Sequence, residues 1–234
     1  MQAGTWQFDE MVHAGPEHLD AAYVDAYDRK AGYDPARDVA HLQKVGLNRD
    51  STLVDLGSGT GALALAAAPF CRRVVAVDVS APMVRTLEAR TREWGIANVE
   101  CVRAGFLTYE HHSGPADVVC SRHALHHLPD FWKAIALTRI AAVLRPGGVF
   151  WTRDLMYSFD PHDTDRVIER WLARASTQPG TGWTRAELET HVRSEYSTFT
   201  WLFEPMLERA GLNIQEREFS DSGIYAAYTA VRAP

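Results

Sequence analysis

Ser51-Thr52-Leu53-Val54-Asp55-Leu56-Gly57-Ser58-Gly59-Thr60-Gly61 is the stretch on which the reading of this 234-residue chain turns. Leu53, Val54 and Leu56 make a short apolar run of the buried-strand kind. Three glycines then interrupt it, and Ala62 to Ala68 is almost entirely Ala and Leu, which favours a helix. The pattern predicts strand, tight turn, helix. Glycine serves such a turn because it accepts positive φ and lets a ligand approach the backbone without meeting a Cβ. Phosphate-cradling loops end in Gly-Lys-Ser/Thr, and no lysine follows here. Dinucleotide folds space their glycines G-x-G-x-x-G, whereas Gly57, Gly59 and Gly61 run G-x-G-x-G. Asp55, at the strand end, would repel a pyrophosphate but suits a ligand that carries an ammonium and a sulfonium.

Downstream, Val74-Val75-Ala76-Val77 predicts a second buried strand ending at Asp78, with Ser80-Ala81-Pro82 as helix cap and start. An acid at the tip of the second strand is where the ribose hydroxyls of an adenosine ligand are held. Because Ser80 can cap the helix, Asp78 is expected to be free for that work. Val99 to Arg103 and Ala116 to Ser121 predict the third and fourth strands. Arg122-His123-Ala124-Leu125-His126-His127-Leu128-Pro129-Asp130 follows, then a helix with Trp132, Ala136, Ile140, Val143 and Leu144 on one face. Leu144-Arg145-Pro146-Gly147-Gly148 ends it, and Val149 to Thr152 predicts a fifth strand.

The glycine turn, with Asp78 and the run from Ala116 to Gly148, resembles class I S-adenosylmethionine (SAM)-dependent methyltransferases over roughly residues 50 to 155. The resemblance implies a Rossmann-like, seven-stranded, mostly parallel α/β sheet with helices on both faces and an antiparallel C-terminal hairpin. It implies SAM as cofactor, held by Asp55, Gly57, Ser58, Gly59, Gly61, Asp78, Val79, Met83, Gly105, Phe106 and Ser121. One departure stands out. The family commonly has Gly-Asp after its third strand, the acid accepting a hydrogen bond from the adenine amino group, and here Phe106 follows Gly105. Stacking or edge contact of Phe106 and Met83 on the purine is the expected substitute.

Length and composition fit a single domain with elaborations. The expected division is an N-terminal helical segment over 1–48, a cofactor-binding core over 49–153, a helical cap inserted over 154–196, and a C-terminal helix and strands over 197–234. In the N-terminal segment Tyr27 and Tyr33 either line the cofactor site or simply pack on the core. Thr184 and Glu187 predict a capping box with Trp183 and Leu188 as a staple. Pro205 is expected to kink or divide the helix before Gly211. Leu212 to Phe219 and Ile224 to Arg232 predict the final hairpin around a turn at 221–223. A formal net charge of −6 argues against a nucleic-acid surface. Cys71, Cys101 and Cys120 have no metal-type spacing and read as reduced core residues. No signal peptide or membrane-length apolar run is read, so a cytoplasmic protein is expected, either alone or as a homodimer.

Methyl transfer from SAM is an in-line displacement at an already activated carbon, so positioning does most of the work. The fourth-strand end lacks the [N/D/S]-P-P-[Y/F] of exocyclic-amine enzymes and the Pro-Cys of cytosine enzymes, leaving a small-molecule acceptor. His123, just past that strand, is the candidate base or acceptor-positioning group, ranked above His126 and His127. Arg122 and Asp154 are candidates for binding a charged acceptor. His123, His127 and Asp154 are the one metal combination weighed, and the surroundings speak against it, so no metal ligand is assigned. A protein that binds SAM without turnover is the competing reading, and a nicotinamide oxidoreductase is a third.

Overall fold

The computed structural model describes residues 6–112, 114–178 and 180–234. Strand β1 (Thr52–Leu56) is buried throughout and lies in the middle of the sheet. It pairs in parallel with β2 (Arg73–Asp78) on one side and β4 (Ala116–Arg122) on the other, so Val54 sits between Val75 and Val119. Adding β3 (Val99–Arg103), β5 (Leu144–Tyr157), β7 (Leu212–Phe219) and β8 (Tyr225–Arg232) gives the order β3-β2-β1-β4-β5-β8-β7. β8 runs antiparallel to both β5 and β7, as the predicted hairpin requires. The chain moves outward one way from β1 to β3 and then returns to β4. That reversal opens a crevice beyond the carboxyl ends of β1 and β4, where open α/β sheets bind ligands.

Alternation along the strands decides which helices cover which face. Val54, Leu56, Val75 and Val77 face Leu137 and Ile140 of α5 (Asp130–Val143) and Phe203 and Leu207 of α8 (Thr200–Arg209). Leu53, Val74 and Ala76 face Leu42 of α2 (Ala36–Lys44), Leu63 of α3 (Ala62–Ala67) and Leu87 of α4 (Ala81–Glu93). Each such side chain removed from water contributes about 1.5–3 kcal/mol. Ser80 caps α4 as read, its Oγ accepting from Met83 N–H at 3.2 Å.

The cap has a small core of its own. Val167, Trp171 and Leu172 of α6 (Thr164–Leu172) pack with Leu155 and Ile224, and Leu188 of α7 (Arg185–Ser194) joins them from the side. The capping box is present: Glu187 N–H donates to Thr184 Oγ1 at 3.4 Å, and Thr184 N–H donates to Glu187 Oε2 at 2.9 Å. α1 (Ala21–Ala31) follows a short 3-10 turn at Pro16–Leu19 and ends at Gly32, whose φ is 56°.

Four sequence expectations change. β5 is not limited to Val149–Thr152 but runs fourteen residues, so Asp154 lies inside a strand and the cap follows Tyr157 rather than starting at 154. The Pro146-Gly147-Gly148 stretch that looked like a terminator is absorbed where the pairing with β4 slips between Ala116 and Val118. An eighth, two-residue strand, β6 (Thr198–Phe199), pairs with the far end of β5. Pro205 neither divides nor ends α8, because it sits on the exposed face beside exposed Trp201, where water can satisfy the carbonyl it leaves unpaired. Among the described residues, no helix is long and apolar enough to cross a membrane.

Candidate active site

The turn after β1 is built by glycines with three different jobs. Gly57 and Ser58 donate their N–H groups to Val77 O at 2.8 and 3.0 Å, bending the chain towards β2. Gly57 has φ +75°, and a Cβ there would lie 2.3 Å from the Ala124 Cβ. Gly59, at φ +55°, would meet nothing within 4 Å and leaves its backbone open to the crevice. Gly61, at φ +87°, would press on Leu87 Cδ1 at 2.1 Å, so it serves helix packing and does not line the crevice. The crevice encloses about 1080 Å³, its open mouth included.

Asp78 is not idle as expected. Its Oδ2 accepts from Gly59 N–H and its Oδ1 from Ser80 N–H, both at 2.8 Å. It therefore ties the glycine turn to α4, with lone pairs remaining for hydroxyl donors. Burial raises its pKa, and those two bonds act in the opposite sense. Asp55 is 2% exposed and lines the crevice floor. Its Oδ1 accepts from Cys120 Sγ–H at 3.4 Å, while Oδ2 has no partner among the described residues. Burial pushes the Asp55 carboxyl up to about 7. Ser58 Oγ, in the same wall, is a second buried polar atom without a partner among the described residues. An unpartnered carboxylate oxygen, an unpartnered hydroxyl and a bare glycine backbone are what a polar cationic nucleoside would complete.

Val79, Met83, Gly105 and Phe106 all line this crevice. Ser121 does not; it is fully buried behind it, with no partner for its hydroxyl among the described residues. Sequence reasoning missed Glu10. This buried carboxylate faces Gly105, accepts from Leu107 N–H at 3.0 Å and stands 3.5 Å from Thr108 Oγ1. A Cβ on Gly105 would lie 2.4 Å from Glu10 Oε2, so a side chain there would displace the carboxylate. Burial raises the Glu10 pKa, against hydrogen bonds from Leu107 and Phe106. Nothing local in the sequence marks Glu10, because the loop that it meets lies almost a hundred residues away.

The N-terminal segment closes the crevice from above. Thr60 Oγ1–H donates to Asp28 of α1 at 2.5 Å, and Ser80 Oγ–H donates to His18 O at 2.6 Å. Tyr27 and Tyr33 both stand in the crevice wall. Arg122 lies over the Tyr33 ring, 3.6 Å from its centroid, and pairs with Asp38 of α2 at 3.1 Å. Tyr33 Oη–H also donates to Asp38 at 2.7 Å, so Arg122 is already committed to this trio.

Beyond His123 the crevice continues into a second cavity under the cap, lined by Trp171, Trp183, His191 and Tyr225 among others. His123 lies in both walls and has φ 50°, the one positive φ among the described non-glycine residues. A left-handed non-glycine residue costs about 1–3 kcal/mol and tends to mark functional sites. Its Nδ1 is buried 4.0 Å from Asp154 Oδ1, without a hydrogen-bond partner among the described residues, and burial, then Arg122, push its pKa down to about 3. The ring is therefore a neutral acceptor. At that pKa it is a poor proton acceptor for catalysis near neutrality.

Asp154 does not reach the rim, where a charged acceptor was expected to meet it. It is 1% exposed and bonds His126, Oδ1 to Nδ1 at 2.5 Å. His126 Nε2 in turn lies 3.0 Å from Glu195, which His191 Nδ1 approaches at 2.6 Å. Burial pulls the His126 pKa down, but Asp154 and Glu195 outweigh it and hold it up to about 9. Burial raises both acids too, yet their histidine partners hold them well below the usual carboxylate range. The pairing thus gathers His126, His127, His191, Glu195 and Asp154, a set that spacing alone did not assemble.

Residues 53–148 match the protein family described as "Methyltransferase domain". Over these residues, less than half of its length, the chain is similar to methyltransferases. The methyltransferase YcgJ of Bacillus subtilis, described as uncharacterized, is 29% identical over 109 residues, which are 47% of this chain and 42% of that protein. The chain thus spans less than half the length of the curated relatives it matches. Magnesium protoporphyrin IX methyltransferase (ChlM) from Synechocystis PCC 6803, solved with bound SAH, superposes with a TM-score of 0.67 at 15% identity, over 96% of this chain and all of that one. The [4+2]-cyclase SpnF superposes with a TM-score of 0.64 at 16% identity, over 84% of this chain and 80% of that one. These likenesses are of fold, and a cyclase among them shows that the fold alone does not select the chemistry.

Proposed function

We propose that this protein binds S-adenosylmethionine in the crevice beside β1 and transfers its methyl group to a small molecule in the cavity under the cap. The observation that carries the reading is the crevice floor: Asp55 with an unpartnered oxygen, beside the bare backbone of Gly59. Asp78 and the glycine turn would hold the ribose, and Asp55 would face the ammonium end. Phe106 and Met83 would flank the adenine. Glu10 would supply, from the N-terminal segment, the carboxylate that the family has after its third strand. When bound, SAM supplies the activated methyl carbon. The chain's own work is to orient that carbon towards the cap cavity and to keep water out. His123, neutral and at the junction of the two spaces, would accept a hydrogen bond from the acceptor and so aim it. The acceptor would be a small O, N, C or S nucleophile, which the net charge of −6 and the aromatic walls favour over a nucleic acid.

Calorimetric titration with SAM and S-adenosylhomocysteine tests the binding half. Asp78→Ala, which removes the acceptor for Gly59 and Ser80, should weaken both ligands at least tenfold. Undiminished affinity in that variant would remove the ribose assignment. A non-catalytic SAM-binding protein is the second reading, favoured by the missing acid at position 106. Incubation with methyl-labelled SAM and a metabolite extract separates the two, since a binder without turnover transfers no label to small molecules.

A further inference from the structure

Methyl transfer explains the crevice and the cavity but not why three imidazoles converge on one carboxylate oxygen between core and cap. His191 Nδ1, His126 Nε2 and His127 Nδ1 lie 2.6, 3.0 and 4.0 Å from Glu195 Oε2. His127 Nδ1 and Glu195 Oε2 are buried yet make no well-directed hydrogen bond among the described residues. The far sides of the rings are anchored. His126 Nδ1 faces Asp154 Oδ1 at 2.5 Å, and His191 Nε2 faces Ser197 Oγ at 2.8 Å. A histidine that ligates a metal characteristically engages a carboxylate or another oxygen through its other nitrogen, which fixes tautomer and orientation.

We propose that His126, His127, His191 and Glu195 form a binding site for a divalent transition-metal ion of the zinc class. Metal–nitrogen and metal–oxygen bonds of about 2.0–2.2 Å in a tetrahedron place ligand atoms about 3.2–3.6 Å apart. The separations from Glu195 are 2.6 to 4.0 Å, one donor atom each of His126, His127 and Glu195 lies within 4.8 Å of the others, and side-chain rotations that also bring in His191 would close the site. Imidazole ligands select zinc, copper, iron or nickel over magnesium or calcium. Two of the ligands, His126 and His127, come from the 3-10 turn after β4, and His191 with Glu195 comes from one face of α7 and the residue that ends it. The ion would therefore clasp cap to core, in the wall of the cavity where the acceptor is proposed to sit. The site does not depend on the methyl-transfer reading, and metal binding is measured without it.

The test uses the full chain. Metal content of the purified protein is measured first. Chelator-treated protein is then titrated with zinc by calorimetry and with cobalt by visible absorption. One equivalent with a Kd in the micromolar range or tighter, and the absorption of a nitrogen-rich tetrahedral site, is expected. Glu195→Gln and His191→Ala should each weaken binding at least a hundredfold. Asp154→Asn should weaken it about 10–100-fold, as for other partners that orient ligating histidines. Exposed His112→Ala should bind as the parent does. Circular dichroism and thermal unfolding identify any variant that fails to fold, and for such a variant His191→Asn replaces His191→Ala. No saturable binding, or binding that survives both ligand substitutions in folded protein, would overturn the proposal. A SAM titration of the same chelated protein separates this failure from failure of the cofactor reading.

Discussion

The charge state of Asp55 gives a sharp test of how the crevice works. Burial holds this carboxyl up to about 7, so the unliganded protein carries it largely protonated in mild acid. SAM brings an α-ammonium, charged below about pH 7.7, and a sulfonium that is charged at any pH. A cation beside Asp55 favours the ionised form, so binding must expel a proton wherever the free protein holds one. If only ionised protein binds, the apparent Kd is the intrinsic value divided by the ionised fraction. With a pKa of about 7, the penalty is about 1.1-fold at pH 8, about 2-fold at pH 7 and about 11-fold at pH 6. Because the ammonium loses its own proton above about pH 7.7, the comparison is made below it, and SAM affinity should fall about fivefold from pH 7 to pH 6. Calorimetry at pH 6 in buffers of different ionisation enthalpy should show close to one proton released per SAM bound. Asp55→Asn should bind weakly at every pH and release none. A flat Kd across this range in the parent, or an unchanged slope in Asp55→Asn, would refute the argument. The unliganded protein should show the converse in its stability. The native state holds a proton that the unfolded chain, with an aspartate pKa near 3.8, has released, so this group's contribution to stability declines as pH rises from about 4 to about 7. Asp55→Asn should then be the more stable of the two at pH 8.

Gly57→Ala combines a left-handed penalty of about 1–2 kcal/mol with crowding against Ala124 of about 1–3 kcal/mol, so its urea midpoint should drop sharply. Gly59→Ala, with open space around its Cβ, should lose only the first part in stability but weaken SAM binding through bulk in the crevice. Glu10→Gln should weaken SAM roughly tenfold, a step of about 1.4 kcal/mol, while leaving an analogue with inosine in place of adenosine unaffected. Equal effects on both ligands would show that Glu10 only braces the loop at 105–108. Phe203→Ala, at a fully buried position on the inner face of α8, should cost about 3–5 kcal/mol in chemical denaturation and leave SAM affinity unaltered below the transition.

The parts of this molecule that could be read from the sequence are those whose signals are local. Ser51 to Gly61 carries strand, turn and ligand surface in eleven consecutive residues, and β1 and its turn stand where that stretch places them. The capping residues Ser80 and Thr184 were legible for the same reason, since cap and helix are adjacent. Gly61 and Ser121 belong to the local pattern too, but whether a glycine or a serine touches the crevice depends on what packs behind it. Leu87 stands behind Gly61, and Ser121 is enclosed. The length of β5 was hidden by Pro146-Gly147-Gly148, which has turn chemistry yet is accommodated by a slip in pairing with β4. Glu10 and Glu195 were invisible because a carboxylate in a polar stretch looks solvated until the fold brings Leu107 or His126 to it.

The N-terminal helix and the cap are fastened to one another. Lys30, at the end of α1, is paired with Glu187 of α7, its ammonium lies 4.6 Å over the Trp183 ring, and its carbonyl accepts from Gly182 N–H at 3.0 Å. One helix roofs the nucleoside crevice and the other roofs the neighbouring cavity, so neither roof lifts without disturbing the other. If the proposed function holds, the nucleoside and the second molecule share one latch. Under that reading a substitution at Lys30, far from the proposed point of transfer, would change how fast both molecules come and go.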